Sequence, residues 1–254
     1  MFVAAKDSFE IKLKQLLKQA SISNNQKQYI MRYIASIFSA VIALTLTSCI
    51  TISGLDKRAS GPIEERTFNI EGDIRALASS CGAEVAVDST LPRGEVRVVT
   101  HSDIYDIIEI KAEESTLEIG LKPGEHLRAD TFEVYVPAYN YNTLAISSGS
   151  SFEWEGCSVE TLTIAISAGA DTEISGTCTT LTLAASAGAD ADLVELVAER
   201  ATVTASAGAD VEVHATESLT IAASSGASVS FAGNPTNKDI HTSSGADVNV
   251  MPLK

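Results

Sequence analysis

Carboxylates recur along the C-terminal half of this sequence at a fixed interval. Asp171, Asp190, Asp210 and Asp247 each stand two residues after a glycine, and Glu153, Glu173, Asp192 and Glu212 stand four residues after one. Ser228, Ser230 and Asn249 fill the same places in the remaining copies. If these positions share one face, neighbouring charges ~5 Å apart repel by roughly 1 kcal/mol even in water. A hard cation such as Ca²⁺, which takes several oxygen ligands, relieves that repulsion and makes Asp171, Glu173, Asp190, Asp192, Asp210 and Glu212 its candidate ligands. The competing reading, which the sequence favours, is a solvated acidic face that deters aggregation. The repeat is not the Gly-Gly-x-Gly-x-Asp pattern of calcium-binding β-helices.

Other residue types are arrayed in the same way. Thr163, Thr182, Thr202 and Thr220 form an outward row, with Ala165, Ala184, Thr204 and Ala222 beside it. A flat face of that kind suits a glycan, a protein partner or another copy of the chain, although Thr also simply favours strands. Catalytic patterns are missing. His101, His126, His214 and His241 are scattered, Gly-x-Ser-x-Gly is absent, and residues 142–254 hold only Arg200, Lys238 and Lys254 as Lys or Arg. A polysaccharide-cleaving site needs a base near its carboxylates, so no catalytic residue and no cofactor beyond Ca²⁺ is assigned. Cys157 and Cys178 lie eight and nine residues after their glycines, close enough in phase to be neighbours. An exported location permits their disulfide, but the unequal offset and the odd Cys81 favour buried free thiols.

What positions these residues is a repeat. The phrase Ser-Ala-Gly-Ala-Asp, or a close variant, recurs around Gly149, Gly169, Gly188, Gly208, Gly226 and Gly245, at separations of 20, 19, 20, 18 and 19. Five residues before each glycine stand Leu144, Ile164, Leu183, Val203, Ile221 and Ile240; five after stand Trp154, Ile174, Leu193, Val213, Phe231 and Val250. Between them apolar and polar residues alternate with period two, the mark of a half-buried strand. The sequence therefore predicts an all-β, single-stranded parallel β-helix, a solenoid of about 19-residue coils. Each coil is two short strands bent at the glycine, plus a return segment that absorbs the variation in length. The bend calls for a residue that tolerates positive φ.

Upstream, the pattern is strand-like but without the phrase. Residues 68–72, 84–88, 95–100, 107–110, 116–120 and 131–137 are six strand candidates, read as irregular early coils or a cap on the same core. Regular coils start at about residue 142.

Charge separates the chain's two ends. The 254 residues carry a net charge of −15, yet residues 1–49 hold six Lys/Arg against two acids, so the remainder stands at −19. So acidic a body excludes nucleic acid as a partner. Tyr33–Leu46 is uncharged and mostly apolar, follows Arg32, and ends in Leu46-Thr47-Ser48-Cys49. A basic stretch, a short apolar stretch and small residues describe a signal peptide. Leu-Thr-Ser-Cys resembles a bacterial lipobox, which implies lipidation of Cys49. A membrane-spanning anchor is the alternative, weakened by Thr45, Thr47, Ser48, Thr51 and Ser53. The expected organisation is an N-terminal extension plus signal peptide over 1–49, with Met31 as an alternative start, a Gly/Ser/Pro tether over 50–62, and one domain over 63–254. Ile50 after the cysteine favours the outer membrane, facing either side.

The order of motifs, Phe68-x-Ile-x-Gly72, Thr116-Leu-x-Ile119, Phe132-x-Val-x-Val-Pro137 and then the Ser-x-Gly coils, resembles the auto-transporter adhesin, head GIN domain family over about residues 63–251. The resemblance implies a β-helical, exported, non-catalytic domain. The expected function is a lipid-anchored, non-enzymatic binding or adhesion module for glycan or protein at the cell envelope. A self-associating structural envelope protein is the alternative, since the chain stops nine residues after Gly245 without an obvious cap. A glycan-active enzyme is the lesser alternative.

Overall fold

The structure, a computed structural model, describes residues 57–252. The expected signal peptide, Cys49 and the first part of the expected tether lie outside the described residues. Seventeen strands and no helix make up the described chain: β1 (Lys57–Arg58), β2 (Ile63–Asn69), β3 (Ala76–Ser79), β4 (Glu84–Asp88), β5 (Glu95–His101), β6 (Ile108–Glu113), β7 (Thr116–Leu121), β8 (Leu127–Arg128), β9 (Phe132–Pro137), β10 (Thr143–Ile146), β11 (Ser151–Ile166), β12 (Asp171–Ala185), β13 (Asp190–Ala205), β14 (Asp210–Ala223), β15 (Ser228–Ala232), β16 (Asn237–Thr242) and β17 (Asp247–Val250). They form a parallel β-solenoid of about five turns with coils of about 20 residues.

The turn that closes each coil uses two left-handed residues rather than glycine alone. Ala168 and Gly169 have φ of +55° and +67°, and Ala187, Ala207, Ser148, Ser225 and Ser244 repeat this before their glycines. Two consecutive positive φ values define a type I′ turn, and Ala170 N–H donates to Ser167 O at 3.2 Å to close it. An alanine in this conformation costs roughly 1 kcal/mol. The stack offsets that cost, because each turn glycine also donates its N–H to the residue before the next turn's glycine, as Gly169 does to Ala187 O at 3.2 Å.

Between turns the chain stays extended, so the return segment is itself strand. β11, β12 and β13 run unbroken for 15 or 16 residues. The length variation falls within them as register shifts, between Trp154 and Cys157, Glu173 and Gly176, Leu193 and Val197, and Ala198 and Arg200. Gly176 is fixed by one of these. A Cβ there would lie 2.0 Å from Cys157 O.

The interior columns are the expected ones. Leu144, Ile164, Leu183, Val203, Ile221 and Ile240 pair in register from coil to coil. Trp154 pairs with Ile174, and Leu193 with Val213, Phe231 and Val250 in turn. All are buried except in the last described coil, where Ile240 and Val250 are 39% and 69% exposed.

The N-terminal cap shares this core, but its layers are not stacked in chain order. β3 and β4 form a coil directly beneath β10 and β11, with Ala76 opposite Thr143 and Glu84 opposite Ser151. Regular stacking thus reaches back to Ala76, further than residue 142. The next layer out is β7 and β9, parallel to β3 and β4. Beyond it β6 pairs antiparallel with β7, β5 with β9, and β2 with β5. The chain must therefore return from the outer layer past β3 and β4 to begin β10. Tyr139 and Tyr141 on that return are buried, and Tyr141 meets Trp154 edge to face at 5.7 Å between ring centres. Ser150 completes the junction. It occupies the place of the buried Ala170 and Ala189, and its hydroxyl accepts from Cys81 N–H at 3.2 Å and Gly82 N–H at 3.0 Å.

These columns generate a paired test. Val203 is 1% exposed, whereas Thr202 points to solvent. Val203→Asp buries an unpaired charge and is expected to cost more than about 4 kcal/mol in denaturant unfolding, or to abolish folding. Thr202→Asp is expected to change stability by less than about 1 kcal/mol.

Candidate functional site

The period-two alternation puts one set of side chains inside and the other on two flat outer faces, one on each side of the turn. On the face after the turn, the carboxylates stand in two in-register columns. One runs Glu84, Ser151, Asp171, Asp190, Asp210, Ser228 and Asp247; the other runs Ala86, Glu153, Glu173, Asp192, Glu212, Ser230 and Asn249. The second column continues into the cap through Tyr135, Arg97 and Thr67. Arg97 lies 4.4 Å over the Tyr135 ring and donates to Asp88 Oδ2 at 3.0 Å, which places a cation at the end of the acidic face.

Crowding in the columns is felt at Asp190. Partial burial of its carboxyl, followed by the charges of Asp210, Asp171 and Asp192, raises it above the ordinary carboxylate value. The candidate calcium ligands are thus adjacent but spread along a flat ladder. Among the described residues no group of three or more His, Cys, Asp or Glu side chains converges as a metal site.

On the face before the turn, Thr163, Thr182, Thr202 and Thr220 form one column, and Ala165, Ala184, Thr204 and Ala222 the next. Arg200, one of the few cations here, is held by Glu199 at 3.4 Å and Glu217 at 3.2 Å. Cys157 and Cys178 are buried free thiols on adjacent strands, Cys157 in register with Gly176 and Cys178 with Val159. Burial, and then the nearby Cys178 sulfur, pushes Cys157 up to about 12; burial pushes Cys178 to about 11. Both stay protonated and unreactive at neutral pH.

One cluster has no signature in the sequence. His101, scattered by sequence, ends β5 with its side chain 11% exposed. Its Nδ1 lies 2.6 Å from Gly61 O and its Nε2 2.5 Å from Asp130 Oδ1. Asp103 accepts from Ser60 N–H and Ser60 Oγ, both at 3.1 Å. Residues 57–62, assigned by composition to the tether, are therefore docked on the cap. The partners sit 29 and 40 residues from His101, so no local pattern links them.

A family model described as "Putative auto-transporter adhesin, head GIN domain" matches residues 73–235. Among solved structures, a putative adhesin from Bacteroides fragilis is similar with a TM-score of 0.61 and 13% identity, over 77% of this chain and 100% of that one. That similarity is one of fold. A putative lipid binding protein from Parabacteroides distasonis has a TM-score of 0.47 at 14% identity, over 78% of this chain and 100% of that one. A putative adhesin from Parabacteroides merdae has a TM-score of 0.44 at 9% identity, over 77% of this chain and 99% of that one. No curated protein matches the sequence.

The acidic columns carry a test of their own. Because the folded state raises Asp190, its negative charge opposes folding in full above the raised value, and the effect vanishes below the ordinary carboxylate value. Asp190→Asn is expected to stabilise the fold at neutral pH by no more than about 1 kcal/mol once solvent screening is allowed for, read as a small rise in the thermal midpoint. The gain should disappear below about pH 4. Salt should stabilise the wild type without preference between calcium and magnesium, because screening acts on charge alone. A rise specific to calcium, lost in the Asp190→Asn, Asp210→Asn double variant, would identify a bound ion instead.

Proposed function

This chain belongs to the auto-transporter adhesin, head GIN domain family, and from that premise we propose that it is a non-enzymatic adhesion module held at the cell envelope by lipid on Cys49. The observation that carries the proposal is the pair of outward-facing, in-register faces, the Thr and Ala one largely half-buried and the acidic one largely exposed. A rigid ladder of Thr and Ala on one side and carboxylates on the other offers many equivalent shallow contacts at a regular spacing. That arrangement suits an extended ligand, a glycan or a protein segment, better than a small substrate that must be enclosed for chemistry. The family's adhesin description points the same way.

The lipid supplies attachment. One acyl chain binds a membrane marginally, whereas the two or three carried by a lipoprotein cysteine hold stably. The outer membrane is the proposed site, with the module facing the periplasm or the cell exterior. A second reading, self-association through the coil end, draws support from Ile240 and Val250, exposed in the last described coil. Light scattering tests the second reading, which requires an oligomer that grows with concentration.

Two outcomes are expected. Cys49→Ser should leave unprocessed precursor and abolish acyl labelling in cells; undiminished labelling would remove the anchor from the proposal. On a glycan array, Thr202→Arg combined with Thr204→Arg, or Asp171→Asn combined with Asp210→Asn, should abolish binding while the other pair preserves it. Release of cleaved or unsaturated sugar products by the wild type would show the protein to be an enzyme.

A further inference from the structure

We propose that residues 57–62 form a strap latched to the cap by the protonated ring of His101, and that the latch opens when the ring loses its proton. Both groups facing the ring are acceptors: the Gly61 carbonyl at Nδ1, 2.6 Å away, and the Asp130 carboxylate at Nε2, 2.5 Å away. A neutral imidazole has a single N–H and satisfies one of them, leaving a lone pair pointed at the other. The imidazolium donates to both. The His101 side chain is 11% exposed and the Asp130 carboxylate 85% exposed, so water takes over at the carboxylate while the cost of a neutral ring falls on its own unpaired nitrogen.

The surrounding charges favour the same state. Asp130 approaches from the connection between β8 and β9, and Asp103 from the turn after β5; Arg58 on β1 sits near Asp130. The bond to Gly61, followed by that to Asp130, raises His101 above the ordinary imidazole value, against burial of the ring. The bond from His101 lowers Asp130. Burial pushes Asp103 up, but the N–H groups of Gly61 and Ser60 and the Ser60 hydroxyl outweigh it and leave it lowered.

The remaining strap contacts do not titrate near neutral pH. Lys57 binds Asp106 at 2.6 Å, Lys57 N–H donates to His126 O at 2.9 Å, and Ala59 N–H donates to Arg128 O at 3.0 Å. Ser102 N–H donates to Pro62 O at 2.8 Å. His101 is therefore the switch among them. Its folded value is raised, so the latch is complete below the ordinary imidazole value of about 6.5 and is lost as pH climbs through the raised one. On the acid side it persists until Asp130 is protonated, below the usual carboxylate range. Loss of the latch shifts residues 57–62 toward opening against these remaining contacts, and the segment spans at most about 20 Å when extended. That gain in reach depends on anchoring at Cys49; the latch does not.

Amide hydrogen exchange on the full-length chain in detergent, corrected for intrinsic rates, tests this. From about pH 6 to about pH 9, protection of the Ala59 and Ser102 amides is expected to fall several-fold, by up to tenfold per pH unit, and then level off. The midpoint should coincide with the His101 ring titration followed by NMR, while amides of β13 stay unchanged. His101→Gln should give low protection that no longer depends on pH. Asp130→Asn keeps the ring and should move the fall to lower pH, and it carries the test should His101→Gln misfold. Constant protection in the wild type, the same fall in His101→Gln, or a ring titrating at or below the ordinary value would each overturn the latch. Loss of acyl labelling and loss of the pH response are separate readouts, so failure of the anchor and failure of the latch are distinguishable.

Discussion

The amide of each turn glycine donates to a carbonyl in the next turn, and five such bonds, from Gly149, Gly169, Gly188, Gly208 and Gly226, tie six turns into one line. The register of the solenoid follows from that line. With the turns aligned, every residue at a given offset from its glycine falls in one column, so the apolar columns close the core and the polar ones make the outer faces. The alignment also explains why a strained alanine is retained before the glycine. The turn needs two residues at positive φ in succession, and a small side chain at the first limits the cost. Where the coils differ in length, the difference is absorbed far from the turns, in bulged stretches of strand.

Much of this was legible in the sequence because period-two alternation and a fixed glycine phase constrain which residues are buried. Val203, Ile221 and Leu193 are interior for that reason, and Asp190 and Thr202 exterior. The return strands were not legible, since the register shifts near Gly156, Gly176 and Val197 break the alternation that would reveal them. β3 was missed because Ala76-Leu-Ala-Ser79 has little strand preference of its own and is extended only by its neighbours β7 and β10. Stack order in the cap was equally hidden. Alternation says which face a residue takes, not which layer its strand joins.

The same distinction governs the candidate sites. Columns of like residues are a local property and could be read directly. The His101 cluster joins three separate stretches of chain, and Gly61 contributes only a backbone carbonyl, which any residue could offer. Its composition marks the strap as a linker because Gly, Ser and Pro carry few side-chain contacts. Its docking instead uses backbone groups and the flanking Lys57 and Ser60. Ser150 shows the opposite case, a departure from the repeat that is visible in the sequence. Where later coils have a buried alanine, its hydroxyl satisfies two amides of the cap's own turn.

Stacking identical offsets also sets a linear charge density. Coils repeat about every 4.8 Å, so in the three coils where both columns are acidic, from Asp171 and Glu173 to Asp210 and Glu212, one negative charge falls per roughly 2.4 Å of solenoid axis. In water, two unit charges interact with an energy equal to RT at about 7 Å. The columns are well inside that distance. Mobile cations therefore gather along this short stretch, which Ser151 on one side and Ser228 and Ser230 on the other bring to an end. A basic polymer laid on this face would displace that ionic atmosphere, and its affinity would fall steeply as salt rises, whatever its detailed contacts.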